Sequence, residues 1–149
     1  MLSSAQLDRL AFRFFKLFAR YESTLKEQGY FSLVLGGAIK VDWDRFANQV
    51  VGPNFMEELG EKAEAAAFIL ENPPMKQVVG DNGQIIWQRV SNVDHSAQML
   101  FAHICRMRNN LFHGAKFNGT WFDPERSNDL LQRGLLILEH YKGRMGIDR

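Results

Sequence analysis

"DHSAQMLFAHICRMRNNLFHG", Asp94 to Gly114, is the stretch on which the fold turns. Ala97, Leu100, Phe101, Ile104, Met107 and Leu111 recur at steps of three and four, the spacing of one buried helical face, and Gly114 is a natural C-terminal cap. Residues 94–113 therefore read as a helix. The same helix carries two arginines, two asparagines and a histidine between positions 106 and 113. A polar group taken from water without a partner costs about 1–3 kcal/mol, so these groups either satisfy one another or meet a ligand. On an ideal helix turning about 100° per residue, His113 shares a face with Arg106, Asn109 and Ala102, while Arg108 falls roughly 140° away, toward Phe101 and Ile104.

Outward from this helix the rhythm is mostly the same. Leu7, Leu10, Ala11, Phe14, Phe18, Tyr21 and Leu25 predict a long amphipathic helix over 4–28, with Ser3 or Ser4 as its cap. "EQGYFSLVLGGAIKV" breaks the pattern with glycines at 29, 36 and 37 and reads as a connection with a short extended piece. A short helix is expected over 42–51, and Asn54 followed by Glu57 resembles a capping box opening a helix over 55–71. Two β-branched runs flank "GDNG" within residues 72–92, a hairpin signal. "DPERSNDLLQRGLLILEHYKGRMG" opens with Asp-Pro-Glu and reads as the last helix. No internal repeat, low-complexity tract or linker divides the chain. The expectation is one domain over 1–149: an all-α bundle of four to five helices with a small β-hairpin insertion.

Composition narrows the function. With 149 residues, 46% of them hydrophobic, and a formal charge of +1, the chain suits one soluble domain and lacks a broad basic coat. Nucleic acid would have to be held by a local cluster. No run approaches the ~20 apolar residues of a membrane span, and the charged start is unlike a signal peptide, so no membrane association and a cytoplasmic location are expected. The single cysteine, Cys105, reads as a packed thiol. His95, His103 and His140 have no carboxylate or cysteine at a ligand spacing nearby, and the sequence calls for neither metal nor cofactor.

Arginine, asparagine and histidine together support one reaction without a metal. RNA is cut when its own 2′-hydroxyl attacks the adjacent phosphate; this needs a base, an acid and positive charge at the phosphorane. Histidine suits either proton role near neutral pH, and arginine stabilises the phosphorane charge through its fork of donors. One chain offers one histidine in this cluster, so acid and base come most simply from two copies across a two-fold axis. Should a monomer be active, His103 or Glu22 would have to supply the second group. Without a ligand, Arg106, Asn109 and Asn110 cap neighbouring helices or sit in water, and His113 is a helix-terminal residue stabilised by the macrodipole.

"RNNLFHG" on the penultimate helix of a small helical domain resembles the Arg-x4-6-His motif of HEPN domains, in which a polar residue usually follows the arginine. Arg108, Asn109 and His113 match it. The likeness covers most of the chain in architecture and about ten residues in close sequence; the order of "KQVVGDNGQIIWQ" ahead of "RMRNNLFHGAKF" is also similar to some small bacterial members. The resemblance implies a HEPN-like homodimeric, metal-independent endoribonuclease with a composite cleft at the dimer interface, serving as a toxin or in antiviral defence. Catalysis would fall to Arg108, Asn109 and His113, with Arg106, Asn110 and Lys116 binding substrate. Some relatives pair with a nucleotidyltransferase antitoxin that modifies a tyrosine two residues past the motif histidine. Here that position is Ala115, so an antitoxin partner, nucleotidyltransferase or other, would need another route. Regular helical facing instead puts Arg106 beside His113, an Arg-x6-His register also within the family's range; the family string favours Arg108 and expects the last turn before Gly114 to depart from ideal helix, and both arginines remain candidates.

Two other functions compete: a non-catalytic HEPN-like module binding RNA or nucleotide with the same residues, and a helical interaction protein whose polar stripe seals a dimer. A sealing surface should be more apolar than His95, Arg106, Asn109 and His113. Trp121 and Phe122 read first as packing and second as base-stacking residues. Tyr21 reads as core edge, Glu22 as a solvated charge, and Trp43 and Trp87 as packing.

Overall fold

The computed structural model describes residues 3–91, 94–112, 116–117, 120–121 and 123–147. Helix α1 (Ser4–Glu27) starts at a reciprocal cap: the Gln6 N–H donates to Ser3 Oγ at 3.1 Å and the Ser3 N–H donates to Gln6 Oε1 at 2.9 Å. Its buried face is Leu7, Phe14, Leu17, Phe18, Tyr21 and Leu25. Strands β1 (Phe31–Leu33) and β2 (Ile39–Val41) then pair antiparallel, so the expected extended piece is a full hairpin. Gly36 and Gly37 turn it with φ of 88° and 84°, values a side chain would resist.

Asp42 accepts from the Arg45 N–H to open α2 (Trp43–Phe46), which widens into a π-helical turn over Ala47–Val51. The helix expected over 55–71 is two pieces, α3 (Phe55–Leu59) and α4 (Ala63–Glu71), and the capping box expected at Asn54 does not form. Gly60 is the reason for the split. Its φ of 58° with ψ of −116° leaves helical geometry, and a 3₁₀ turn restarts the chain.

The "GDNG" hairpin forms as expected, with β3 (Lys76–Val79) antiparallel to β4 (Ile85–Gln88). Helix α5 (Ala97–Phe112) begins three residues later than its periodicity predicts, because Ser96 takes the capping role: its Oγ accepts from the Met99 N–H at 3.1 Å. A minimal pair, β5 (Lys116–Phe117) with β6 (Thr120–Trp121), leads to α6 (Pro124–Tyr141), capped by Asp123 with Pro124 in the first turn.

The helices share one buried cluster, joined by Val41 of β2 and Trp121 of β6. At its centre Trp43 stacks on Phe18 at 5.0 Å, Phe46 meets Phe101 edge to face at 5.1 Å, and the buried Tyr21 hydroxyl donates to the Leu138 carbonyl. Trp43 thus packs as expected, and so does Trp121, which is buried with its Nε1 donating to Asp8 at 2.9 Å. Gly134 on α6 lets Met107 of α5 approach: a Cβ built there would lie 3.0 Å from the Met107 sulfur. Among the described residues no helix is long and apolar enough to cross a membrane.

Candidate functional site

The second half of α5 sends its polar side chains along two flanks. Arg108 turns toward α1. Its Nη2 lies 3.9 Å from Glu22 Oε1, its guanidinium stands 6.0 Å from the centre of the Phe18 ring, and its Nη1 donates to Asn109 Oδ1 at 3.1 Å. Arg108 and Glu22 are each about 30% exposed, so the ion pair contributes well under ~1 kcal/mol and acts mainly to orient the guanidinium. Glu22 is therefore no freely solvated charge. It borders the buried face of α1 one turn after Phe18, the position from which a long cation on a neighbouring helix can be met.

Asn110 leaves α5 on the other flank, where its Nδ2 donates to the Met75 carbonyl at 3.0 Å and ties the helix to the chain entering β3. Arg106 lies between Asn109 and Asn110 on the helix surface. It is half-buried, and its Nη1 is enclosed with no hydrogen-bond partner among the described residues. One turn earlier His103 is 1% exposed, and neither ring nitrogen has a hydrogen-bond partner among the described residues. Burial first, and then the charge of Arg106, pushes its pKa down to about 4. At neutral pH His103 is an uncharged imidazole inside the core, which removes it as a proton donor to a bound strand.

Of the residues expected at the site, Arg108 and Asn109 are in direct contact, Asn110 is separated from them on the far flank, and Arg106 touches neither through a hydrogen bond. The departure from ideal helix that the Arg108 register calls for does not occur through Phe112: α5 stays helical, and Arg108 faces Phe18 as ideal facing requires. His113, Gly114 and Ala115 lie outside the described residues, as does Phe122. Lys116 pairs with Trp121 through its backbone, and its side chain is outside the described set.

The remaining ionisable groups nearby have local explanations. The Cys105 thiol is packed against the core and pushed up to about 12, chiefly by burial and then by Glu22, so it stays protonated, as a packing residue would. His140 sits 3.3 Å from Lys62 Nζ, and burial together with that ammonium lowers its pKa. No group of histidine, cysteine or carboxylate side chains suited to a metal ion occurs among the described residues.

A pocket opens beside the Asn110 flank, between the β3–β4 hairpin, the end of α5 and the start of α6. It has a volume of about 60 Å³ and is lined by residues including Met75, Trp87, Met107, Asn110 and Arg126. Trp87, expected as packing, is only half-buried and forms part of this wall. Nothing local marks Arg126 or Asp123 as site residues beyond the Asp-Pro-Glu helix start. Comparison of the chain with protein-family models, with curated proteins and with solved structures finds no match in any of the three.

Proposed function

We propose that the protein is a metal-independent endoribonuclease that acts as a toxin or defence effector in the cytoplasm. The observation that carries this reading is the Arg108–Asn109 hydrogen bond at the partly exposed end of α5, with Glu22 and Phe18 steadying the guanidinium just ahead of His113 in sequence. An oriented arginine beside an amide, followed by a histidine, is the donor set that the resemblance to HEPN domains calls for. Arg108 neutralises the phosphorane, and Asn109 keeps the guanidinium in one orientation.

In this reaction the RNA 2′-oxygen forms a bond to phosphorus and the bond from phosphorus to the 5′-oxygen breaks. His113 of one copy takes the 2′-hydroxyl proton, and His113 of the partner subunit gives a proton to the departing 5′-oxygen. The products are a 2′,3′-cyclic phosphate and a 5′-hydroxyl. The burial of His103 supports the two-copy arrangement, because it leaves no accessible imidazole next to Arg106 and Asn109 among the described residues.

Expression of wild type and His113→Ala in a bacterial host, followed by RNA integrity on a gel, tests the proposal. RNA decay with the wild type alone supports it; equal tolerance of both, with intact RNA, contradicts it. The second reading, a non-catalytic RNA- or nucleotide-binding module, is favoured by the engagement of Arg108 with Glu22 and Phe18, since a structural arginine would make those same contacts. It predicts RNA retention without cleavage.

A further inference from the structure

We infer that the pocket between the β3–β4 hairpin and the start of α6 receives one unstacked guanine base of the RNA; this rests on the ribonuclease reading and assigns it a base preference. The walls suit a flat ring. Trp87 offers an indole from β4, and Met107 and Leu130 supply apolar and sulfur surface from α5 and α6. Stacking on an aromatic side chain is the usual anchor for a single-stranded base, and thioethers pack well against rings. In this reading the base enters the pocket while ribose and phosphate stay at its mouth.

The polar groups on the pocket discriminate among bases. Arg126 lines it and is anchored through Nη2 to the Pro73 carbonyl at 2.6 Å, which orients the guanidinium. Asn110 spends one N–H on Met75 and retains a carbonyl oxygen and a second N–H. Asp123 adds a carboxylate at the rim. It is the one non-glycine residue with positive φ, 51°, among the described residues, a conformation that local packing must hold in place. Guanine alone presents two acceptors, O6 and N7, for arginine-type donors together with two donors, N1–H and N2–H, for a carboxylate. The pocket shares Asn110 with the second half of α5, one helical turn from Arg106 and on the flank opposite Arg108, so a base seated there lies beside the strand that Arg106 would hold.

The test is a titration of the full chain with the four nucleoside 5′-monophosphates, followed by tryptophan fluorescence and calorimetry, for wild type, Trp87→Ala and Trp87→Phe. GMP is expected to bind about tenfold more tightly than CMP or UMP, Trp87→Ala to lose about tenfold in GMP affinity, and Trp87→Phe to recover most of it. Circular dichroism melts of both variants establish that the fold survives. Absence of saturable GMP binding, equal affinity for all four, or a Trp87→Ala variant as good as wild type overturns the inference. Mapping of RNA cleavage sites separates the two claims: cutting with no guanine preference defeats the pocket assignment alone, whereas GMP binding that depends on Trp87 in a protein that never cuts RNA defeats the nuclease alone.

Discussion

Helix α5 has two halves that are built by different physics. From Ala97 to Ile104 its inward residues are apolar apart from His103, and Leu100, Phe101 and Ile104 are fully enclosed in the aromatic core. From Cys105 to Phe112, Arg108 and Asn110 reach partners far away in sequence, Glu22 on α1 and the Met75 carbonyl ahead of β3, and Arg108 also holds its neighbour Asn109. The first half is fixed by what it excludes from water; the second is fixed by single directed contacts that leave donors at the surface. Substitutions should therefore unfold the protein when made in the first half, and change its chemistry while leaving it folded when made in the second.

The largest effect expected is on stability. Phe101→Ala removes a ring packed between Trp43, Phe46 and Tyr141 and should cost about 3–5 kcal/mol in chemical denaturation. A cost below ~1 kcal/mol would mean that the first half is not the structural half. Arg108→Ala is the counterpart. Cleavage should fall by two to three orders of magnitude, about 3–4 kcal/mol in the barrier, while the unfolding midpoint moves little. Arg106→Ala should instead raise KM and flatten the salt dependence, the mark of a phosphate contact that does not follow the reacting charge. If Arg106→Ala abolishes turnover while Arg108→Ala only destabilises, the register is Arg-x6-His and Arg108 is structural.

His103 marks the boundary between the halves and gives the next prediction. Its pKa is near 4 when folded against the ordinary 6.5 when unfolded, so the unfolded chain binds the extra proton first. The stability tied to the neutral ring is fully present above about pH 6.5 and is lost progressively as pH falls toward 4, a total on the order of 3 kcal/mol. Urea midpoints recorded across that window should fall for wild type and stay flatter for His103→Leu; parallel curves would show that His103 is not the titrating group.

The smallest effect belongs to Glu22. Glu22→Gln should change stability by less than about 1 kcal/mol, because both members of the pair are partly hydrated. Cleavage should drop only a few-fold, with kcat affected more than KM, as expected when an orienting contact is lost. A Glu22→Gln variant with no cleavage at all would make the carboxylate a reacting group.

This contrast also explains what could be read from the sequence. Helices α1, α5 and α6 follow from apolar spacing and from caps at Ser3 and Asp123, and the β3–β4 turn follows from "GDNG", because these signals act over a few residues. The division at Gly60 escaped, since the flanking periodicity of 55–71 hides one glycine whose backbone is set by packing. The start of α5 went to Ser96 rather than to Asp94 for a similarly local reason. The facing of Arg108 was legible from the helical wheel alone, and its partners were not: Glu22 lies 86 positions away, and nothing in its local sequence separates it from a solvated glutamate. The pocket was illegible because it is assembled from separate elements; of its lining residues, Asn110 was expected to bind substrate and Trp121 to stack bases only as a second reading.

The measurement closest to the central claim is the end-group of RNA cut by the purified protein in excess EDTA. The account predicts that cutting continues and leaves 2′,3′-cyclic phosphate and 5′-hydroxyl ends, that an all-deoxy strand resists, and that folded His113→Ala is inactive. Loss of cutting on chelation, cleavage of the all-deoxy strand, or a fully active His113→Ala protein would contradict it.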